Sequence, residues 1–247
     1  LARWHADMWT LAAATALYFS DYLEYNRLAL GLSINGELAD IGAEVFYEYT
    51  KYRWGWGVGA GHYPITQRGV QVRQVKVDLN GTVVTADAID RLTQRTYIDQ
   101  VELVGKYPFS TTRRFEMGAG FTRYSFTGDI QTQLILSNGQ IIADNTEDLD
   151  FGPGLNLLQS YVAYVGDNSF FGFTGPIKGE RFRAEVGGTV GSLRFMTLTL
   201  DYRRYFYLKP FTLAFRGYHY GRYGPDELSD RISPLFLGYE WNVRGYM

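Results

Sequence analysis

The chain has 247 residues, 46% of them hydrophobic and 17% aromatic, with 28 glycines, 20 tyrosines and no cysteine. Its net charge of −2, from 24 basic and 26 acidic residues, gives no electrostatic basis for binding nucleic acid. Mean hydropathy is −0.20, and no run of about 18 apolar residues occurs, which excludes a membrane-spanning helix but not a strand-built membrane wall, where only alternate residues meet lipid.

Period-2 alternation recurs along the chain and helical periodicity is nearly absent, so the fold class is all-β. Met8 to Ser20 is predicted as a first strand, with an Ala-rich short helix as its competitor, and Ser20 to Asn26 breaks the pattern. Arg27 to Asn35 puts Leu28, Leu30, Leu32 and Ile34 on one face, and Asn35-Gly36 is a turn. Ile41, Ala43, Val45, Tyr47 and Tyr49 share a face in the next strand. Then Trp54, Trp56, Val58 and Ala60 oppose Gly55, Gly57, Gly59 and Gly61, a wall without side chains that something approaches closely or that faces open space.

Val70 to Leu79 reads as a separate strand, Asn80-Gly81 as a turn and Thr82 to Leu92 as a polar loop. Strands follow over 96–107 and 114–122, around a tight turn at Pro108 to Thr112, and Ser137 to Gly154 is predicted as a long acidic loop. Leu155 to Val165, Arg181 to Val190, Arg194 to Tyr207 and Phe211 to Gly221 complete a count of about eleven strands. A soluble sandwich and a transmembrane barrel share this alternation; the strand number and the aromatic excess favour the barrel.

No residues point to chemistry. His5, His62 and His219 have no metal-ligand spacing, and no nucleophile elbow accompanies them, so no catalytic residue, metal or cofactor is expected. His62 reads as an interfacial aromatic partner and His219 as a strand-end residue. Asp144, Glu147, Asp148 and Asp150 do not follow the EF-hand spacing and read as a solvated loop. Trp4, Trp9, Trp54 and Trp56 read as interfacial anchors of strand ends.

Three stretches carry a resemblance. Gly166-Asp167-Asn168, with Gly175 and Arg181 downstream, looks like a periplasmic turn; Phe211 to Gly221 looks like an eleventh strand; and Val243-Arg244-Gly245-Tyr246 looks like a loop-six motif. Together they resemble the outer-membrane insertase superfamily, the BamA/TamA-like proteins, and within it the barrel of surface-antigen proteins, some of which carry a TolB-like propeller. The resemblance implies a single domain over 1–247: a transmembrane antiparallel β-barrel of about sixteen strands, of which the chain supplies about eleven, ending in the loop that latches Arg244 on the inner wall. Departures from the pattern are Gly238-Tyr239 in place of a Gly-Gly, no POTRA domain ahead of the first strand, and about five absent closing strands, so that another chain or further residues complete the barrel.

The resemblance further implies a bacterial outer-membrane location and assisted insertion or translocation of outer-membrane proteins. The partners are then the lipid bilayer and nascent outer-membrane proteins or periplasmic subunits, with no nucleic acid. Thr10, Ala12, Ala14 and Ala16 mark the first strand as the candidate seam, whose small residues suit a labile edge that templates a substrate strand. The alternatives are a structural barrel anchor or scaffold subunit, and a passive pore.

Overall fold

The structure is a computed structural model that describes residues 12–79, 82–173 and 175–235. These form one antiparallel sheet of twelve strands, with no helix among the described residues. In chain order they are β1 (Ala12–Ser20), β2 (Asn26–Asn35), β3 (Glu37–Tyr49), β4 (Gly55–Leu79), β5 (Thr82–Pro108), β6 (Arg113–Leu136), β7 (Ile141–Asp148), β8 (Leu155–Asp167), β9 (Phe170–Phe171), β10 (Pro176–Gly191), β11 (Phe195–Leu208) and β12 (Phe211–Tyr223). Ten of them form the ladder β1-β2-β3-β4-β5-β6-β8-β10-β11-β12, while β7 pairs only with β6 and β9 only with β10. The end strands β1 and β12 do not pair with each other, so the described sheet is open.

The turns after β1, β3, β5 and β11 share one end of the sheet, the tight-turn end. After β1, Asp21 accepts from the Tyr25 amide at 2.7 Å and from Asn26 Nδ2 at 2.6 Å, which closes the turn and starts β2. Arg53 donates to the Pro108 and Phe109 carbonyls, each at 2.9 Å, tying the β3–β4 turn to the β5–β6 turn. At the opposite end Gly36 adopts φ 94° between β2 and β3, a conformation that suits glycine in the predicted Asn-Gly turn.

Three segments differ from the sequence reading. The predicted strands at 54–61 and 70–79 are one continuous strand, β4, paired with β5 from Gly55↔Lys106 to Leu79↔Thr82. Pro64 marks the interruption in the pattern but not in the chain. The β3–β4 ladder ends at Ala43↔His62, so Pro64 has a ladder neighbour on one side only and its missing N–H is tolerated. Thr82 to Leu92 is strand rather than polar loop, paired with β4 and, from Ala86 onward, with β6. Within the predicted acidic loop, Ile141–Asp148 is β7, held on β6 from Asp129↔Asp148 to Ile135↔Ile141. The merger in β4 puts ten strands, not eleven, on the ladder path before the segment after Tyr223.

The sheet is curled around a cavity of ≈ 710 Å³ whose wall draws on every ladder strand from β4 to β12. The face toward this cavity is mostly polar or small, apart from an apolar cluster around Leu155 and Leu157, and the face turned away is apolar. One register row on the outer face reads Leu17, Leu30, Val45, Ala60, Val101, Phe121, Leu158 and Val190 across eight consecutive ladder strands. The adjacent inner row reads Ala16, Gly31, Glu44, Gly61, Gln100, Thr122, Leu157 and Gly191. Val101, Leu158 and Val190 are each more than half exposed, whereas Asp40 and Glu116 are buried, at 2% and 9%. This inverts the usual arrangement of a water-soluble domain, in which buried charge is rare and wide apolar patches are covered.

Candidate functional site

The outer face carries an apolar band with two borders. At the tight-turn end a chain of ring contacts runs from Trp54 to Tyr107 (4.9 Å), Phe109 (5.4 Å), Phe115 (4.8 Å), Tyr164 (5.4 Å) and Phe182 (5.3 Å). Tyr47 and Tyr49 extend it through Trp56, at 5.6 and 5.9 Å. At the other border a polar register row crosses four strands: His62, Asp99, Arg123 and Asn156. His62 Nδ1 lies 2.6 Å from Asp99 Oδ1, and its ring stacks on Tyr97 at 5.6 Å, which fits the aromatic partner expected of it.

The distance between the borders is constant. Trp54–His62, Asp99–Tyr107, Phe115–Arg123 and Asn156–Tyr164 each span nine residues, with uncharged outward positions between, apolar at all except Gly105 and Ser160. A tilted strand needs ~9–11 residues to cross the hydrocarbon of a bilayer, and strand-built membrane walls carry aromatic girdles at their interfaces. The His62–Asn156 row went unnoticed in the sequence, although each member lies eight positions from an aromatic residue of the same strand face.

The inner face is laced by ion pairs. Glu116 accepts from Arg114 Nε at 2.6 Å and from Arg183 Nη1 at 2.6 Å, and Arg183 also reaches Glu185 at 2.5 Å. Asp201 joins Arg203 at 2.7 Å and Arg216 at 2.9 Å, and Glu48 joins Lys106 at 2.7 Å. The glycine wall of β4 is covered rather than open: a Cβ on Gly57 or Gly59 would meet the Phe46 ring at 2.9 or 3.0 Å, and Tyr63 lies over Gly61.

After β12 the chain turns onto this inner face. Ile232 packs against the buried cluster Leu155, Leu157 and Leu193; Arg222 donates to the Ser233 carbonyl at 2.9 Å, and Arg231 to the Pro153 carbonyl. The segment that leads to Val243-Arg244-Gly245-Tyr246 is therefore held against the cavity wall up to Ser233. The motif itself lies outside the described residues, as do Thr10, Thr174 and the Asn80-Gly81 turn.

Four of the five turn residues are brought together. Arg181 pairs with Asp167 in register and contacts it at 3.3 Å; Asp167 accepts from the Ser169 amide at 3.1 Å; Asn168 Oδ1 accepts from the Glu180 amide at 2.7 Å; and Gly166 lies under the Phe182 ring. Gly175 stands apart, its carbonyl accepting from Gly172 N at 2.8 Å with no side chain near it. Of the seam residues, Ala12, Ala14 and Ala16 lie on edge strand β1 in register with Asn35, Ser33 and Gly31, and the pairs Ala14–Ser33 and Ala16–Gly31 have little side chain to hold them.

Beyond the polar row, β4, β5, β6 and β7 continue as a projecting sheet. The seventeen residues from Tyr63 to Leu79 make on the order of 55 Å of strand at ~3.3 Å per residue. Its central tie is Asp90, which accepts from Arg73 Nε and from Thr132 Oγ1, both at 2.7 Å. The Arg73 and Thr132 hydrogen bonds hold the Asp90 carboxyl below its usual range. A depressed folded-state value stabilises above the unfolded value of ~3.9 and is lost as pH falls below it. Acidification below that point therefore lowers the protection of the amides in 70–79 and 86–92 first, relative to their intrinsic exchange at the same pH, and Asp90→Asn lowers it at neutral pH; hydrogen-exchange mass spectrometry reads both.

The acidic side chains of β7 alternate faces, Asp144 and Asp148 against Glu147. Among the described residues no group of three or more such side chains could hold a metal ion. No family model, no curated protein and no solved structure matches the chain.

Proposed function

We propose that the chain is the wall of a BamA/TamA-like barrel in a bacterial outer membrane, with the polar cavity as its lumen, and that it assists insertion or translocation of outer-membrane proteins. The observation that carries the membrane reading is the outer band, nine residues deep on four adjacent strands, bounded by an aromatic girdle and a polar row. In water that band would be a contiguous aggregation surface; in lipid it satisfies the solvent, while the inner ion pairs face a wet lumen.

Two features support the insertase reading over a passive pore. The segment after β12 runs inward toward the lumen, as a loop that brings Arg244 to the inner wall requires. On its inner face the edge strand β1 meets β2 through the small pairs Ala14–Ser33 and Ala16–Gly31, which leave few side-chain contacts there for an incoming strand to displace. A photoreactive amino acid at Ala14 is expected to crosslink to nascent outer-membrane proteins during active assembly, and one at Ala119, mid-sheet, is not. Equal yields at the two positions, or none at Ala14, contradict the insertase function and leave the membrane wall standing.

A second reading, a barrel anchor that presents a binding sheet outside the membrane, is favoured by the projecting β4–β7 sheet. In that case Ala14 yields no substrate crosslink, and removal of the projecting sheet, not of β1, abolishes function.

A further inference from the structure

The projecting sheet ends in two edges that carry no partner strand among the described residues: β4 beyond His62 on one side and β7 on the other. Unpaired N–H and C=O rows of this kind invite strand addition unless charge or geometry opposes it. On β4 the stretch Val70–Val77 (VQVRQVKV) is β-prone, lacks proline, and carries Arg73 and Lys76 with no acidic residue. On β7 the stretch Ile141–Asp148 carries Asp144, Glu147 and Asp148 with no basic residue. Like edges repel, and unlike edges attract.

Direction and register agree with the charges. β4 runs away from the tight-turn end and β7 runs back toward it, so two copies standing the same way up bring the β4 edge of one antiparallel to the β7 edge of the next. In one register Lys76 stands opposite Asp144 and Arg73 opposite Glu147. The same register preserves the faces of the sheet. Lys76 and Asp144 are on the outer parity, through Lys76↔Thr85 and Asp144↔Gln133; Arg73 and Glu147 are on the inner, through Arg73↔Ala88 and Glu147↔Ile130. Gln74 and Thr146, both exposed, then face each other across the junction.

We infer that the projecting sheet is a self-association surface, where β4 of one copy adds to β7 of a second copy of this chain to make a continuous sheet. The contact is heterologous, so it propagates into rings or rows in the membrane plane instead of stopping at a two-fold dimer. The shared upright orientation rests on the membrane reading proposed above; the pairing of edges rests on the sheet alone.

The chain has no cysteine, so introduced thiols report without background. Full-length Gln74→Cys and Thr146→Cys variants, co-expressed and oxidised in isolated outer membranes, are expected to form a disulfide-linked dimer. A chain carrying both substitutions is expected to form a ladder of higher species. Lys76→Glu, which leaves the Arg73–Asp90 tie in place, should reduce the crosslink severalfold, and adding Asp144→Lys should restore it. Protein found in the membrane fraction but without the crosslink overturns the inference, as does a Gln74→Cys homodimer of equal yield or a crosslink from Gln74→Cys to a different polypeptide. Absence of the protein from the membrane fraction overturns the membrane reading instead, which separates the two failures.

Discussion

On the proposed membrane reading, Leu103→Arg is expected to destabilise the folded protein in lipid vesicles by about 2–4 kcal/mol, the cost of a cation on a lipid face near the bilayer midplane. Leu103 is midway between Asp99 and Tyr107, on the outer face, and is 57% exposed. For a protein dissolved in water the same substitution at such an exposed site changes stability by no more than about 0.5 kcal/mol. Depth sharpens the expectation. Phe115→Arg, at the aromatic border, should cost about 0–1 kcal/mol on charge grounds, plus the ring contacts with Phe109 and Tyr164 that it removes. Equilibrium urea unfolding from vesicles measures both, and equal small effects at the two positions would remove the lipid-facing assignment.

Arg183→Met is expected to cost about 1–3 kcal/mol by the same measurement, through the inner face instead of the outer. Arg183 bridges Glu116 and Glu185, and its loss leaves Glu116, which is 9% exposed, with Arg114 alone. Breaking a fully buried pair costs about 3–5 kcal/mol, but the Arg183 side chain is about one-third exposed and water screens part of the interaction. Adding Glu116→Gln removes the stranded charge, so the double variant should be less destabilised than the sum of the two single variants. Strict additivity would mean that the two side chains do not act together.

Where one face of a strand is apolar and the other polar, period 2 was enough to read it. β2, β3 and β12 lie close to their predicted limits, and the faces assigned to Leu28, Leu30 and Leu32 or to Val45 and Tyr47 are those of the sheet. The reading found Val70 to Leu79 as strand but lost the rest of the projecting sheet, for a physical reason. Beyond the polar row the buried face of β5 is made of Ala86, Ala88 and Asp90 and of no large apolar residue, so alternation gives little signal, and Thr82 to Leu92 looks like loop because Asp87, Asp90 and Arg91 are charged. Asp90 is buried only because Arg73 and Thr132, on two neighbouring strands, meet it there.

The site divided in the same way. Local turn chemistry made the Gly166–Arg181 turn legible, since Asp167 and Asn168 satisfy backbone and side-chain donors within a few residues or directly across the strand pair. The polar row His62, Asp99, Arg123 and Asn156 was not legible, because it exists only once four strands are in register. Counting strands was sensitive to the same gap: 54–61 and 70–79 read as two strands and are one, β4.

The most direct test of the membrane wall is a spin-label scan of single cysteines from Asp99 to Tyr107 on the otherwise cysteine-free chain in lipid vesicles. Accessibility to oxygen, which partitions into lipid, is compared at each position with accessibility to a water-soluble nickel chelate. The membrane wall predicts a two-residue alternation, with oxygen favoured at 101, 103 and 105 and the chelate at 100, 102 and 104, and with the oxygen signal peaking at 103. Chelate access at 101, 103 and 105 equal to that at the positions between them would place the apolar face in water and contradict it.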